Sequence, residues 1–222
     1  NWLHDFDMTM RRKDGHLLPV SMSTTLLRNK MGEPIAMVNV ARDITERKRL
    51  TEQLENKNKQ IELLNRIIIT ANQTQDFGEI FRTIANEIST VVICHGISIA
   101  VVGSDNHTMK IFATQGLTGY DVDDLIESKE TLPYKVLQSQ KALIEYDLRS
   151  YKVRSKDLRR DVNIRSQLSI PIVLRGRNFG TLNLVSKEPH TFTEEHIELL
   201  TPVAQQVGAI VDRVKLFEQV KN

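Results

Sequence analysis

A narrow apolar stripe with a seven-residue period runs through residues 50–71 and constrains this chain more than any other feature of its sequence. Nearly all residues between its members are Glu, Gln, Asn, Lys or Arg. A stripe this narrow on a helix this polar cannot be buried against a globular core, so it predicts a helix that pairs with a second copy in a homodimer. The predicted dimer seam consists of Leu50, Leu54, Lys57, Ile61, Leu64 and Ile68, with Ala71 at its end.

The start of this helix and the composition of its seam refine the prediction. Lys57 lowers the stability of a helix pair but restricts the pair to a dimer in one register. Asp43 followed by Glu46 indicates a capping box at the beginning of the helix. A single solvated linker helix is the alternative interpretation.

Composition and charge exclude several classes of protein. The chain has 222 residues, of which 40% are hydrophobic, enough for a buried core. Its 30 Lys and Arg against 28 Asp and Glu leave a net charge of +2, which gives no support for nucleic-acid binding. One cysteine, Cys94, excludes a disulfide framework and a multi-cysteine zinc site. No apolar run reaches the roughly 18 residues of a membrane span, so we expect no direct membrane contact and a cytoplasmic location, with a parent protein that could still be membrane-tethered.

Residues on either side of the stripe have different periodicities. Within residues 1–43, alternating apolar residues and two turn signals, at residues 13–15 and 29–34, predict three antiparallel strands with one uncovered apolar face, as in a domain cut in half. Residues 74–222 predict a complete domain, with a helix over residues 77–91, strands over 97–102 and 109–113, a hairpin over 168–185 and a last helix from about residue 193. The predicted boundaries are therefore 1–43, 44–73 for the coiled-coil linker, and 74–222.

The first segment resembles the C-terminal half of a PAS sensor domain. Residues 12–15, Arg-Lys-Asp-Gly, and residues 40–48, which contain the Asp-Ile-Thr sequence of residues 43–45, carry the resemblance. It implies that Asp43 and Thr45 connect the last strand to the outgoing helix and relay a signal. The half of a PAS domain that holds much of its ligand pocket is absent, so no PAS ligand is predicted.

The last segment resembles a GAF domain. The resemblance lies in residues 166–172 (Ser-Gln-Leu-Ser-Ile-Pro-Ile), residues 180–184 (Gly-Thr-Leu-Asn-Leu) and residues 191–193 (Thr-Phe-Thr). It implies an α+β fold in which an antiparallel sheet of about six strands has helices on both faces and a ligand cavity beneath loops. A PAS segment, a coil and a GAF domain in this order resemble the sensory region of two-component sensor histidine kinases.

These resemblances imply a non-enzymatic sensory and dimerisation segment. In this hypothesis the GAF domain binds an unknown small molecule and passes a conformational signal through parallel helices to a downstream kinase or other output domain. Two alternatives are a ligand-free structural dimerisation module and a cyclic-nucleotide-binding regulator. An enzyme on the same fold, free methionine sulfoxide reductase, needs several cysteines for thiol exchange, and this chain has one.

Residues of the predicted ligand pocket follow from the GAF resemblance. In cyclic-nucleotide-binding members a serine on the first strand and a phenylalanine on the second hold the base, and Ser98 and Phe112 match these places. The Asn-Lys-x-x-Asp-Glu signature of those members is not found in this sequence. A helix that begins at Thr131 could direct backbone N–H groups at an anion. The predicted pocket consists of Ser98, Phe112, Thr131, Tyr134, Tyr146, Arg165 and Ser169.

Arginine and lysine residues cluster between residues 149 and 165, and acidic residues lie among them. We interpret the cluster as a solvated segment, with the alternative of a lid in which Arg165 closes on a carboxylate or phosphate.

Other candidate groups are interpreted as structural. Residues 196–202, from His196 to Pro202, echo the phosphoacceptor box of histidine kinases, but Ile197 replaces the acidic neighbour that helps to activate the histidine. Cys94 and His95 lie at the entry to the first strand of the domain, too early in the sequence for the cysteine that attaches bilin in phytochromes. No histidine lies on a clear apolar stripe that would suggest haem. We therefore predict no cofactor and no metal.

Overall fold

The computed structural model describes residues 2–221 except 75, 104–107, 118–120, 124, 127–130, 150–162 and 175, with side chains from residue 6 to residue 213. Contacts divide the chain into two compact units, Asn1–Lys59 and Gln60–Asn222.

The first unit contains a three-stranded antiparallel sheet in the order β1-β2-β3. Its strands are β1 (Trp2–Arg11), β2 (Leu17–Arg28) and β3 (Pro34–Asp43), and helix α1 (Thr45–Gln73) follows. Gly15 and Gly32 have φ of 89° and 84° in the two connecting turns, a conformation that glycine adopts without strain. Met8, Met10, Ile35 and Met37 are exposed, as expected for a sheet without a cover of its own.

Helix α1 begins differently from the predicted capping box. The Asp43 Oδ1 atom accepts a hydrogen bond from the Thr45 backbone N–H at 2.8 Å. Hydrogen bonds from the side chain and backbone of Thr45 lower the pKa of Asp43. Glu46, however, does not return to this end, because it pairs with Arg49 at 2.8 Å one turn further along. The contact between Asp43 and Thr45 thus exists, and the box with Glu46 does not.

The second half of α1 belongs to the second unit, so the contact boundary at residues 59/60 differs from the predicted boundary at 74. Leu63, Ile67 and Ala71 are buried in the main core, and Leu64 packs against it. The Arg213 guanidinium donates a hydrogen bond to the backbone oxygen of Ala71. The expectation that the stripe cannot be buried against its own chain is therefore wrong at its C-terminal end, where Ala71 is buried and Leu64 packs against the core.

The second unit has one six-stranded antiparallel sheet in the order β6-β5-β4-β9-β8-β7, as predicted. Helix α2 (Phe77–Val91) precedes it, α3 (Leu132–Ser139) lies between β6 and β7, and α4 (Glu194–Lys221) closes the chain. The strands are β4 (Gly96–Val102), β5 (Met109–Gln115), β6 (Leu125–Ile126), β7 (Leu143–Glu145), β8 (Ser166–Leu174) and β9 (Arg177–Ser186).

Alternating residues give this sheet two different faces. On the face that we call the helix face, apolar strand residues such as Leu168, Ile170 and Leu182 form one core with α1, α2 and α4. On the opposite face, which we call the cavity face, α3 packs through Leu137 against Ala100 and Met109. Helices therefore lie on both faces, which confirms the predicted fold class.

Helix α4 approaches the sheet closely at Gly208. A Cβ atom at this position would lie 2.6 Å from the Cγ2 atom of Ile172 on β8, closer than real Cβ contacts. The glycine thus lets the helix backbone lie directly on the strand.

Candidate ligand cavity

A cavity opens on the cavity face beside the N-terminal end of α3. Together with its mouth it encloses about 560 Å³, which is an upper bound for a ligand held inside. Its described lining combines six apolar residues with four uncharged polar ones. The apolar residues are Ile111, Leu117, Ile126, Pro133, Ile164 and Val185, and the polar ones are Ser98, Thr131, Gln167 and Asn183.

A row of four polar residues crosses the sheet on this face. Thr114 pairs with Ser98, Ser98 with Asn183, and Asn183 with Ser169, so the row spans β5, β4, β9 and β8. Residues paired directly across antiparallel strands project from the same face, because side chains alternate along each strand. We call Thr114, Ser98, Asn183 and Ser169 the polar row. Ser98 and Asn183, at its centre, line the cavity.

Asn183 is buried with poor hydrogen bonding. Its side chain is 3% exposed. Its Nδ2 atom lies 3.5 Å from the Ser98 Oγ atom and 3.5 Å from the Thr181 carbonyl oxygen, both at the outer limit of a hydrogen bond. Its Oδ1 atom has no partner among the described residues. Since a buried polar atom without a partner destabilises the folded state, this amide requires an explanation.

Gln167 is another buried polar side chain of the cavity lining. It is buried, and its Nε2 atom donates to the Ser169 Oγ atom at 3.2 Å. Ser169 is itself fully buried and is not part of the described lining. Its role here is to orient Gln167 rather than to face the cavity.

Phe112 does not lie in the cavity, so its predicted placement is wrong. Its ring contacts Phe77 of α2 at a centroid distance of 4.5 Å, on the helix face. The physical reason is a bulge: Ile99 pairs with Ala113 and Ala100 pairs with Ile111, so Phe112 is an extra residue in β5. Ile111 therefore takes the position facing the cavity.

Three other predicted pocket residues are also placed elsewhere. Tyr134 is buried in α3 but is not part of the described lining. Tyr146 is exposed and stacks on His190 at 5.7 Å. Arg165 follows the lining residue Ile164 but directs its guanidinium to Asp147. Of the predicted pocket residues, the structure brings only Ser98 and Thr131 together in the described lining.

Arg165 and Asp147 form a two-pronged ion pair. The Nε and Nη2 atoms of Arg165 lie 3.1 and 2.8 Å from the two carboxylate oxygens of Asp147. These hydrogen bonds, with one from the Arg149 backbone, lower the pKa of Asp147 to about 2. The backbones are joined as well, since the Leu148 N–H donates to the Arg165 carbonyl oxygen at 2.7 Å. The remaining basic residues of the predicted lid, at positions 152–160, lie outside the described residues.

His196 has a structural role at the beginning of α4. Its Nδ1 atom accepts a hydrogen bond from the Thr193 backbone N–H at 3.1 Å, which satisfies a donor at the helix N-terminus. Burial lowers the pKa of its imidazole. Burial likewise raises the pKa of the Cys94 thiol, the opposite of what a nucleophilic thiolate requires.

Metal-binding clusters and membrane-spanning helices are both absent from the described part of the chain. No three His, Cys, Asp or Glu side chains there are placed to hold a metal ion. None of the helices there is long and apolar enough to cross a membrane.

Sequence reasoning missed Gln167 and Asn183, although both lie inside the segments that carry the GAF resemblance. The sequence contains a pattern that places these two residues on the cavity face. Leu168 and Ile170 on β8, and Leu182 and Leu184 on β9, are apolar, so their odd-numbered neighbours must face the other side of the sheet.

The second unit thus combines a six-stranded antiparallel sheet with three helices on one face and a small cavity beside a short helix on the other. The family model of the GAF domain matches residues 74–212. The chain therefore belongs to the GAF family.

Solved structures with the same fold come from different protein contexts. The chain is similar to the GAF domain from a phosphoenolpyruvate-protein phosphotransferase of Coxiella burnetii, with 18% identity, a TM-score of 0.63, and coverage of 72% of this chain and 97% of that one. It is also similar to the GAF domain of a two-component sensor histidine kinase from Bacillus halodurans, with 15% identity, a TM-score of 0.57, and coverage of 65% and 99%. A third is free methionine-R-sulfoxide reductase from Neisseria meningitidis, with 14% identity, a TM-score of 0.59, and coverage of 71% and 90%. Among curated proteins, no significant match is found.

Proposed function

We propose that this chain is the sensory and dimerisation segment of a signal-transduction protein, with a sensor histidine kinase as the favoured parent. In this proposal the GAF domain binds a small molecule in the cavity, and the helices carry the resulting change to an output domain. The observation that carries the proposal is the amide of Asn183, which lines the cavity and whose buried oxygen has no partner in the described part of the chain. A ligand that hydrogen-bonds to this amide would account for its retention.

Strand β8 supports the proposed route from the cavity to the helices. Gln167 lines the cavity, whereas its neighbours Leu168 and Ile170 belong to the core that includes α4. A ligand that displaces Gln167 therefore acts on a strand that α4 contacts directly. Helix α1 shares this core, and its Gln60 side chain donates to the Glu198 carbonyl oxygen of α4 at 2.9 Å.

The exposed part of the predicted seam supports the proposed homodimer. Leu50, Leu54, Ile61 and Ile68 are between 40 and 62% exposed on α1. Large apolar side chains at heptad spacing are typical of a helix that pairs with another helix. We propose that α1 pairs with its copy through these four residues and Lys57. The signal relay through Asp43 and Thr45, and the PAS origin of the first unit, remain part of the proposal.

Native mass spectrometry of the chain purified from its own host tests this function. We expect a dimer that carries a small molecule, and loss of that molecule in the Asn183→Leu variant. A dimer that carries nothing, and whose melting temperature no metabolite raises, would support the structural dimerisation module instead. A retained cyclic nucleotide would support the third hypothesis, which the placement of Phe112 against α2 weakens.

A methionine sulfoxide reductase is not proposed. Its thiol exchange needs several cysteines, and the one cysteine of this chain has a pKa raised by burial.

A further inference from the structure

The described lining of the cavity carries no charged side chain. Its polar groups are two hydroxyls and two amides, from Ser98, Thr131, Gln167 and Asn183. An anion moved from water into such a site would lose its hydration without gaining a cation, which is strongly unfavourable. The described arginine nearest in sequence to a lining residue, Arg165, already has its Nε and Nη2 atoms on Asp147. The part of the cavity that the structure describes therefore favours an uncharged ligand.

The Asn183 amide specifies what the ligand must present. Its Oδ1 atom is an acceptor without a partner among the described residues, and its Nδ2 atom is a donor whose two contacts are both 3.5 Å long. A carboxamide side chain pairs best with a group that offers a donor and an acceptor side by side. The oxygen is buried, so the amide must turn toward the cavity, and a ligand with that edge would then satisfy both atoms at once. The Ile111, Ile126 and Val185 side chains supply apolar contacts for the rest of such a molecule.

We propose that the cavity selects an uncharged, flat molecule that carries an N–H donor beside a carbonyl-type acceptor on one edge. A carboxamide and a lactam ring are examples. The Asn183 amide recognises this edge by hydrogen bonds to both groups. This proposal rests on the proposed function, because it specifies the ligand class of the same cavity.

Three small molecules of nearly the same shape test the proposal. Nicotinamide carries the donor and the acceptor, 3-acetylpyridine carries the acceptor alone, and nicotinate is an anion. Titrations of the full chain followed by amide-detected NMR give affinities and show which residues respond. Ligands of this size bind with dissociation constants of about 1–10 mM, so the titrations extend to about 100 mM. We expect nicotinamide to shift cavity resonances and to bind about tenfold more tightly than either of the other two molecules.

Two buried residues of β9 provide a variant and its matched control. Asn183→Leu keeps the branched skeleton of the side chain and removes both of its polar atoms, and we expect it to abolish the preference for nicotinamide. Thr181→Val is the control, because it removes another buried oxygen that lacks a partner among the described residues. Thr181 lies on the same strand as Asn183 but outside the described lining, so we expect this variant to keep the preference for nicotinamide. The comparison of the three molecules on the unmodified chain does not depend on whether either variant folds.

Several outcomes would overturn the proposal. These are equal affinities for the three molecules, tightest binding of nicotinate, a nicotinamide preference that persists in Asn183→Leu, or no cavity response to nicotinamide. The proposed function would survive any of these if a molecule from the host, for example an anion, bound in the cavity. If no host molecule bound there, the proposed function would fail as well, so the two failures are distinguishable.

Discussion

Neighbouring side chains on β9 and β8 lie in opposite environments. Leu184 and Ile170 are fully buried among apolar groups on the helix face, whereas Asn183 is buried beside the cavity. A side chain on the helix face contributes through packing, and the Asn183 amide lowers stability because its oxygen lacks a partner within the described chain. In the proposed function, stability and ligand binding therefore depend on alternating residues of the same strands.

We predict that substitutions on the two faces change the free energy of unfolding in opposite directions. Ile170→Ala should lower it by about 2–5 kcal/mol, since it leaves a cavity in the core. Asn183→Leu should leave it unchanged or raise it, because an unpaired amide is replaced by an apolar group of similar size. Urea unfolding of both variants and the unmodified chain measures the difference. A loss in Asn183→Leu as large as that in Ile170→Ala would contradict this assignment.

The cap made by His196 predicts a pH dependence of stability. Burial lowers the pKa of this histidine in the folded chain below the ordinary value of 6.5, so the unfolded chain takes up the proton first. Its contribution to stability is therefore present above about pH 6.5 and is lost as the pH falls through the lower folded pKa. Protonation also removes the acceptor that Nδ1 offers to the Thr193 N–H.

His196→Gln keeps a hydrogen-bond acceptor but does not titrate. We expect it to lose less stability than the unmodified chain between pH 8 and pH 5 in urea unfolding. His16→Gln, at an exposed turn residue, is the control and should follow the unmodified chain. Identical pH profiles for all three chains would show that the cap does not titrate.

The ion pair of Asp147 and Arg165 predicts a different pH range. The folded pKa of Asp147 is about 2 against an ordinary 3.8, so its contribution is present above about pH 4 and is lost as the pH falls through 2. Asp147→Asn should therefore lower stability at neutral pH and flatten the acid limb of the stability curve between pH 4 and pH 2. Circular dichroism during acid titration of both chains measures this. A variant with an unchanged acid limb would exclude a titrating role for this pair.

At the scale of elements, α1 carries two apolar stripes, of which one is buried and the other is exposed. Leu63, Ile67 and Ala71 recur every four residues and are buried within the second unit. Leu54, Ile61 and Ile68 recur every seven and are exposed. The helix therefore contributes to the core of its own chain and still presents a surface suited to a second helix.

We predict that the exposed stripe can be disrupted without unfolding the chain. Leu54→Lys should weaken the dimer at least about tenfold, since it places a charge in an apolar seam. Asn56→Lys adds the same charge at an exposed position outside the stripe and should not. Ile67→Lys should instead unfold the second unit, because this residue is fully buried. Sedimentation velocity and circular dichroism separate these effects, and a monomeric unmodified chain at high micromolar concentration would contradict the seam.

The elements themselves were largely predictable, because each has a clear period in the sequence. The two features that were missed depend on more than one element. The face of Phe112 depends on the pairing of β5 with β4, where one extra residue reverses the alternation. The burial of Leu63 and Ile67 depends on the presence of α2 and α4, so a single helix pattern could not distinguish it from solvent exposure.

The candidate site was predicted only in part, for a related reason. Ser98 was identified through resemblance to proteins that bind a particular ligand, and it does line the cavity. The same resemblance indicated Phe112 and Arg165, which have partners elsewhere in Phe77 and Asp147. Competing partners of this kind are determined by tertiary contacts that the sequence alone does not reveal.

At the scale of the whole second unit, one sheet separates two kinds of surface. The helix face is occupied by α1, α2 and α4, and the cavity face holds α3 and the polar row. The two faces are separated only by the sheet itself. Each residue in a central strand is therefore bonded to neighbours whose side chains project from the opposite face. Any ligand-dependent change on one face therefore has a short physical path to the other.

Gly208 determines how closely α4 packs against β8 on that path. Because Gly208 has no side chain, the backbone of α4 packs directly on the Ile172 side chain, and we expect a shift of β8 to be transmitted to the helix. The strand and the helix are therefore expected to move together. A Gly208→Ala substitution would place a methyl group 2.6 Å from the Ile172 Cγ2 atom and so push the helix away from the strand. The absence of a side chain at this residue therefore determines how rigidly α4 is coupled to β8.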